Sequence, residues 1–339
     1  MVAMDSLKNN LGRLLRLRYE LVAFGAGFSV MVLEVVGARI IAPYLGGSIY
    51  VWTAIIGVVL GALAMGYYIG GKAADRPKPE VHLLLSIIYA VILILFTAMI
   101  YASYLDIISD LSIDLRISAI AASLLLFAPA SYFIGCISPH LAKLSVKSLH
   151  DTGKTIGRLE AFGTVGSILG TFTCGYFLLA LVGSRLTMLC VALLLLVVSF
   201  LADQRLLRKL RIGLFLITGL IMCIPPPRAE NVVLDQDTQY AHYQVIAQDF
   251  LDTPAYLLTN TNRSAQSASA ISDPDKMLFS YTQRFMDIAD RVQPSTVLSI
   301  GGGTYTFPSA FIRRFDTATI DVVEIDAGLD SIAERYFWY

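Results

Sequence analysis

The chain has 339 residues, 56% of them hydrophobic and 15% charged, with a mean hydropathy of +0.65. Soluble globular chains carry about 25% charged residues, so these proportions exclude an ordinary water-soluble enzyme from end to end. Net charge is formally zero but unevenly placed: residues 1–227 hold 18 Lys/Arg against 11 Asp/Glu, and residues 228–339 hold 8 against 15. No strongly basic tail offers itself to nucleic acid, which is not expected as a partner.

A bilayer core about 30 Å thick needs roughly 20 apolar residues in helix. Candidate runs fall at residues 21–44, 40–71, 81–105, 117–142, 161–184, 186–202 and 212–227. Seven spans are therefore expected, the last of them short and closed by Pro225, Pro226 and Pro227. More spans follow the first, which argues against a cleaved signal peptide. Lys8, Arg13, Arg16 and Arg18 precede the first span, and further cations follow spans two, four and six. This alternation predicts a multi-pass protein of the cell membrane with its N-terminus in the cytoplasm. Seven full crossings would carry residues 228–339 to the other side. The seventh run could instead be re-entrant or interfacial, and that sidedness stays open.

Small residues at four-residue spacing, Gly57/Gly61, Gly66/Gly70 and Gly166/Gly170, predict close helix packing. Glu34 and Arg39 within the first span and Glu160 at the start of the fifth should face the bundle and find partners, with Arg39–Glu160 one candidate pair. They read either as orienting ion pairs or as a polar pathway. The four cysteines lie in apolar stretches and read as small buried hydrophobes, and the four histidines show no ligand spacing, so no metal is expected.

The character changes after the prolines. Residues 297–326 read VLSIGGGTYTFPSAFIRRFDTATIDVVEID. Val297–Ile300 predicts a short strand, Gly301, Gly302 and Gly303 a tight turn, and Pro308 the first turn of a helix. A second strand then ends at Glu324, about 20 residues beyond the glycines, where nucleotide-binding βαβ units carry the acid that meets a ribose. The expected architecture is an α-helical polytopic bundle over 1–227, a small β region with a linking helix over 228–292, and an incomplete α/β Rossmann-like domain over 293–339.

VLSIGGG, VEID and AERYF resemble the motifs of the spermidine synthase (polyamine aminopropyltransferase) family, which has a methyltransferase-type Rossmann-like fold. Tyr243-Gln244, Ala265-Gln266-Ser267 and Phe279-Ser280-Tyr281 resemble further family elements in the right order. The membrane half, with SYFIGCISPHLAKL and GRLEAFGTVGSILGTFTCGYFLLALVGSR, resembles the multi-spanning region of membrane-bound members. The resemblance implies a decarboxylated S-adenosylmethionine-type donor, or S-adenosylmethionine itself, bound by Gln244, Gly301, Gly302, Gly303 and Glu324. It also implies an amine pocket lined by Gln266 and Tyr281, with the lipid bilayer and a polyamine such as putrescine as partners. Self-association is left open.

Two departures from the family pattern bear on activity. Thr304 stands where the family has Asp, and Tyr305 where it has Gly. The family's catalytic Asp would fall beyond Tyr339, so the resemblance implies a truncated chain with no catalytic residue assigned within it. Two other functions remain: a transporter-like protein with a regulatory nucleoside domain, suggested by the loop from Gly71 to Arg76, and a non-catalytic adenosyl-ligand sensor, suggested by Thr304.

Overall fold

A computed structural model describes residues 2–339 except 112, 204, 226–229, 262 and 263; side chains are described from residue 17 onward, 261 and 264 also excepted. The N-terminal cations Lys8, Arg13 and Arg16 and the prolines Pro226 and Pro227 thus lie outside the described side chains. The chain divides into two compact units, residues 1–226 and 227–339.

The first unit is all helix: α1 (Val2–Leu45), α2 (Ile49–Ala74), α3 (Pro79–Asp110), α4 (Leu115–Leu126), α5 (Ala128–Gly135), α6 (Ile137–Ser145), α7 (Thr152–Thr173), α8 (Leu179–Ala202) and α9 (Arg208–Cys223). Four described runs are long and apolar enough to cross a bilayer: Leu17–Leu45, Ile49–Ala74, Pro79–Asp110 and Leu149–Ala202. The pair Leu115–Leu126 and Ala128–Ser145, bent by 50°, makes a fifth. This corrects the expectation of seven at its last run. The run at 212–227 falls in α9, whose 16 residues from Arg208 to Cys223 make about 24 Å of helix against about 30 Å of hydrocarbon. The fifth and sixth expected spans lie within the single run Leu149–Ala202, in which two helices meet at a kink at Gly183.

That long run nevertheless turns back on itself. Gly166, Gly170 and Cys174 meet Phe24, Phe28 and Val32 of α1 in order, so α7 runs parallel to α1. Val198 of α8 then returns to Gly25. The reversal is made at Gly183, where φ is 77° and ψ 174°, a conformation that glycine adopts without a steric penalty.

Glycine also sets how closely α1 and α7 approach. A Cβ on Gly166 would lie 2.1 Å from the Phe24 carbonyl oxygen, and one on Gly27 would lie 2.1 Å from that of Gly163. In lipid no hydrophobic effect drives helices together, so this backbone contact supplies the dispersion that does. Gly66 and Gly70 pack in the same way against Tyr132 and Cys136. Gly57 and Gly61, expected to pack likewise, have no neighbour within 4 Å and face outward.

Several buried hydroxyls of the unit are satisfied within their own helices. The hydroxyls of Ser29, Ser86, Ser123, Thr187 and Thr218 each donate to the carbonyl one helical turn back, at 2.7–2.9 Å. Glu20 of α1, 4% exposed, accepts from Arg158 of α7 at 2.8 and 3.0 Å. Glu160, paired with Arg39 as one candidate in the sequence, accepts from the Ser138 hydroxyl at 2.9 Å. Of the cysteines, Cys136 and Cys174 are buried as expected, Cys190 is half-buried, and Cys223 is exposed.

Outward faces are apolar: Leu60, Tyr68, Met99, Phe172, Leu181 and Leu216 are all more than half exposed. Soluble proteins rarely expose so much hydrocarbon, and these faces are compatible with a lipid environment.

The second unit opens with an antiparallel meander in the order β1 (Val232–Asp237), β2 (His242–Phe250), β3 (Thr253–Thr261), β4 (Ser264–Ala270). Residues 259–272 lie mostly in β3 and β4, within the β region expected over 228–292. Ser267, Ala268, Ser269 and Ala270 are all buried, while Gln266 is exposed. Helix α10 (Ser280–Val292) leads to β5 (Thr296–Ile300), α11 (Thr306–Arg314), β6 (Thr319–Val323) and α12 (Gly328–Tyr336). Strands β5 and β6 pair in parallel, Val297 opposite Ile320 and Ile300 opposite Val323, with α11 as the crossover. Met286 and Ala289 of α10 and Ala310 and Phe311 of α11 cover one face of this pair. The other face is bare, with Leu298, Ile300, Val323 and Ile325 exposed, where parallel strands are ordinarily covered on both sides.

The contrast between the glycines is testable. Gly166→Ala should destabilise the detergent-purified protein by about 1–3 kcal/mol, because a carbonyl blocks the new methyl. Gly57→Ala, with open space around it, should be neutral or stabilising by up to about 1 kcal/mol. Thermal unfolding of the two variants side by side checks both.

Candidate functional site

The parallel pair builds the site at its carboxyl end. Strand β5 runs out at Ile300, and the Gly301 N–H extends the ladder by donating to the Val323 carbonyl at 2.8 Å. The chain then turns sharply through Gly301 and Gly303, whose φ values are 85° and 56°. At both, a Cβ would be strained. The turn delivers the chain into α11, with Pro308 in the helix's first turn as the sequence predicted.

Glu324 follows β6 directly and reaches across to this turn. One carboxylate oxygen accepts from the Gly302 and Gly303 N–H groups at 2.8 and 2.9 Å. The other accepts from the Ile325 and Asp326 N–H groups at 2.8 and 3.0 Å. Partial burial alone would raise its pKa. Four backbone donors outweigh that and hold it below the ordinary carboxylate value.

Around this clasp stand residues that the sequence reading did not single out as ligands. Thr304 is fully buried, and its N–H faces the Ser267 hydroxyl of β4 at 3.4 Å. Tyr305 is 7% exposed and left-handed, with φ 57°. That conformation costs a non-glycine residue roughly 1–2 kcal/mol. Its hydroxyl donates to Asp330 of α12 at 2.6 Å, and its ring stacks on Tyr339 at 4.3 Å between centroids and 20° between planes. Burial first, then the bond and charge of Asp330, push the phenol above its usual range, so it remains a donor. Asp326, 3% exposed, accepts from the Thr238 hydroxyl at 2.6 Å and from the Gly328 N–H at 3.0 Å.

Of the residues singled out in the sequence, Gly302, Gly303 and Glu324 meet directly, and Gly301 shapes their turn. Gln266 and Tyr281 also come together: the Tyr281 hydroxyl lies 3.4 Å from the Gln266 carbonyl, with its ring 48% exposed and stacked on Phe279. Ser267, next to Gln266, touches the glycine turn, since a Cβ on Gly303 would lie 3.0 Å from its hydroxyl. Gln244 stands further back on β2, its amide donating to Asp235 at 2.9 Å, while Asp235 also lies 3.3 Å from His242. Asp326, directly after VEI, was legible as an acid but not as a buried anchor. Asp330 and Tyr305 carried no signal beyond one unexplained aromatic.

Because the Glu324 pKa is depressed on folding, the stability it contributes is present above the ordinary carboxylate value, about 4.3, and is lost as pH falls through its lower folded value. Glu324→Gln presents an amide N–H to the glycine N–H groups. At pH 7 it should lower stability by about 1–3 kcal/mol, and the gap should close as pH drops below about 4. Denaturant unfolding of the full chain across that range measures the difference.

Comparisons with protein-family models, with curated proteins and with solved structures find no match to this chain.

Proposed function

We propose that the chain is a membrane-anchored, aminopropyltransferase-like protein whose second unit is a Rossmann-like adenosyl-binding domain. One observation carries the reading: the carboxylate at the end of β6 and the glycine turn at the end of β5 share a 2.8 Å contact. Open α/β folds bind nucleosides in the crevice outside the carboxyl ends of neighbouring parallel strands, with the turn close to the ligand and the acid on the ribose hydroxyls. Glu324 would take the ribose, Gly301–Gly303 would let the ligand approach the backbone, and Gln244 would face the sulfonium side. Gln266 and Tyr281 would border the amine. The Lys/Arg bias of the loops supports a cell-membrane location with the N-terminus in the cytoplasm.

The reaction suits such a site. An uncharged amine nitrogen attacks the methylene beside the sulfonium. A C–N bond forms as the C–S bond breaks, its electron pair returns to sulfur to leave a neutral thioether, and the amine proton passes to a base. Catalysis would come mostly from positioning, together with that base. No residue of this chain is assigned as the base.

A second reading, a sensor that binds the adenosyl ligand without turnover, draws on Thr304. A buried hydroxyl replaces the carboxylate of the resembling family, and with it a charge-assisted contact to the donor worth roughly 1.5–3 kcal/mol.

Full-length protein in lipid nanodiscs, titrated with S-adenosylmethionine, its decarboxylated form and 5′-methylthioadenosine, tests both readings. Binding should weaken at least about tenfold in Glu324→Ala, which removes two ribose hydrogen bonds to a charged group. Turnover of the decarboxylated donor with putrescine supports the transferase. Binding without turnover, converted to turnover by Thr304→Asp, supports the sensor. Absence of binding to all three compounds removes the adenosyl reading.

A further inference from the structure

The glycine turn leaves room in front of Gly302, and the protein fills that room itself. A Cβ on Gly302 would lie 2.6 Å from Cε1 of Tyr305 and 3.1 Å from two further ring atoms, so the phenol ring rests on the glycine. Its hydroxyl feels the charge of Glu324 and donates to Asp330, and the ring stacks on Tyr339. It therefore lies in the crevice between the carboxyl ends of β5 and β6, bounded by the turn, the acid and the first residues of α12. In open parallel sheets this is the place of the nucleoside. A flat ring stacked on another at 4.3 Å and hydrogen-bonded to a carboxylate is also what a bound purine nucleoside would present there.

We infer that Tyr305 is an internal plug of the adenosyl crevice, and that a ligand enters only when this ring withdraws from Gly302, gives up Asp330 and leaves Tyr339 to the incoming base. The inference rests on the adenosyl reading above and adds its control. Several contacts hold the ring in, and the left-handed backbone at Tyr305 works against them, so the plugged arrangement is opposed from within. Glycine at this position would adopt the same φ without strain and leave the crevice open. When only the unplugged fraction binds, apparent affinity falls by that fraction, and removal of the plug restores it.

The test is equilibrium binding of 5′-methylthioadenosine, by calorimetry, to full-length wild type, Tyr305→Gly and Tyr305→Phe in nanodiscs, with thermal unfolding recorded for each. Tyr305→Gly should bind at least about tenfold more tightly than wild type, as expected when a mostly closed state is abolished. Tyr305→Phe keeps the ring but loses the bond to Asp330, and should gain about three- to fivefold, the equivalent of one hydrogen bond. This variant keeps the backbone and packing, so it decides the matter even if the glycine variant folds poorly. Equal affinity in wild type and Tyr305→Phe, with binding still lost in Glu324→Ala, overturns the plug and leaves the adenosyl reading standing. No binding in any form, the opened variants included, overturns the adenosyl reading and the plug with it.

Discussion

The second unit is organised around one carboxylate. Glu324 offers about four lone-pair directions, and four backbone N–H groups occupy them at 2.8–3.0 Å. Two donors belong to the turn after β5 and two to the chain leaving β6, so a single side chain ties together the ends of both parallel strands. A left-handed glycine turn exposes its N–H groups outward, and without an acceptor these would be costly orphans. Charge makes the bonds stronger than neutral ones and keeps the acid ionised. The positions of Tyr305, Asp326 and Asp330 follow from where this clasp sends the chain.

The first unit meets a different constraint, since hydrocarbon solvates neither peptide groups nor carboxylates. It responds with helices whose backbones touch through Gly27, Gly163, Gly166 and Gly170, and with hydroxyls folded back onto their own helices. Arg158 and Glu20 tie α1 to α7 beside that glycine seam. Burial of Glu20 makes the pair essential once formed, because loss of Arg158 would strand a carboxylate at 4% exposure. By contrast, Lys143 and Asp75, 2.7 Å apart, are both exposed, and their attraction is largely screened.

What could be read from the sequence was governed by local pattern. The Gly301–Gly303 turn, Pro308 in the first turn of α11 and Glu324 after β6 all follow from short-range rules, because φ freedom and strand period are written residue by residue. Spacing alone could not separate Gly66/Gly70, which pack, from Gly57/Gly61, which do not; that depends on which face a neighbouring helix takes. The run 212–227 looked like a span because it lacks charge, but helix length rather than composition decides a crossing, and α9 stops at Cys223. Residues 259–272 are rich in Ser, Asn and Ala, weak strand formers; pairing with β2 and β3 overrides that propensity. Tyr305 was noticed only as a misfit to a motif, since its partners Asp330 and Tyr339 lie 25 and 34 positions away.

If the proposed adenosyl reading holds, the clasp and the plug would impose a sequence of events on any nucleoside that binds. A ribose offers two hydroxyl donors, yet every acceptor direction on Glu324 is already in use, so at least one pair of N–H bonds must be exchanged. The pair from Gly302 and Gly303 is the one that faces the crevice. Its release costs little only if those N–H groups find new acceptors on the ligand or on ordered water, since each buried unmet donor costs about 1–3 kcal/mol. Tyr305 lies on Gly302, one of these two glycines, so displacement of its ring and exchange of the Glu324 bonds would belong to one movement. A ligand with adjacent hydroxyl donors and a flat base replaces both sets of contacts at once. A ligand with only one of these features leaves either the acid or Tyr339 without its partner, and the crevice discriminates against it on that ground.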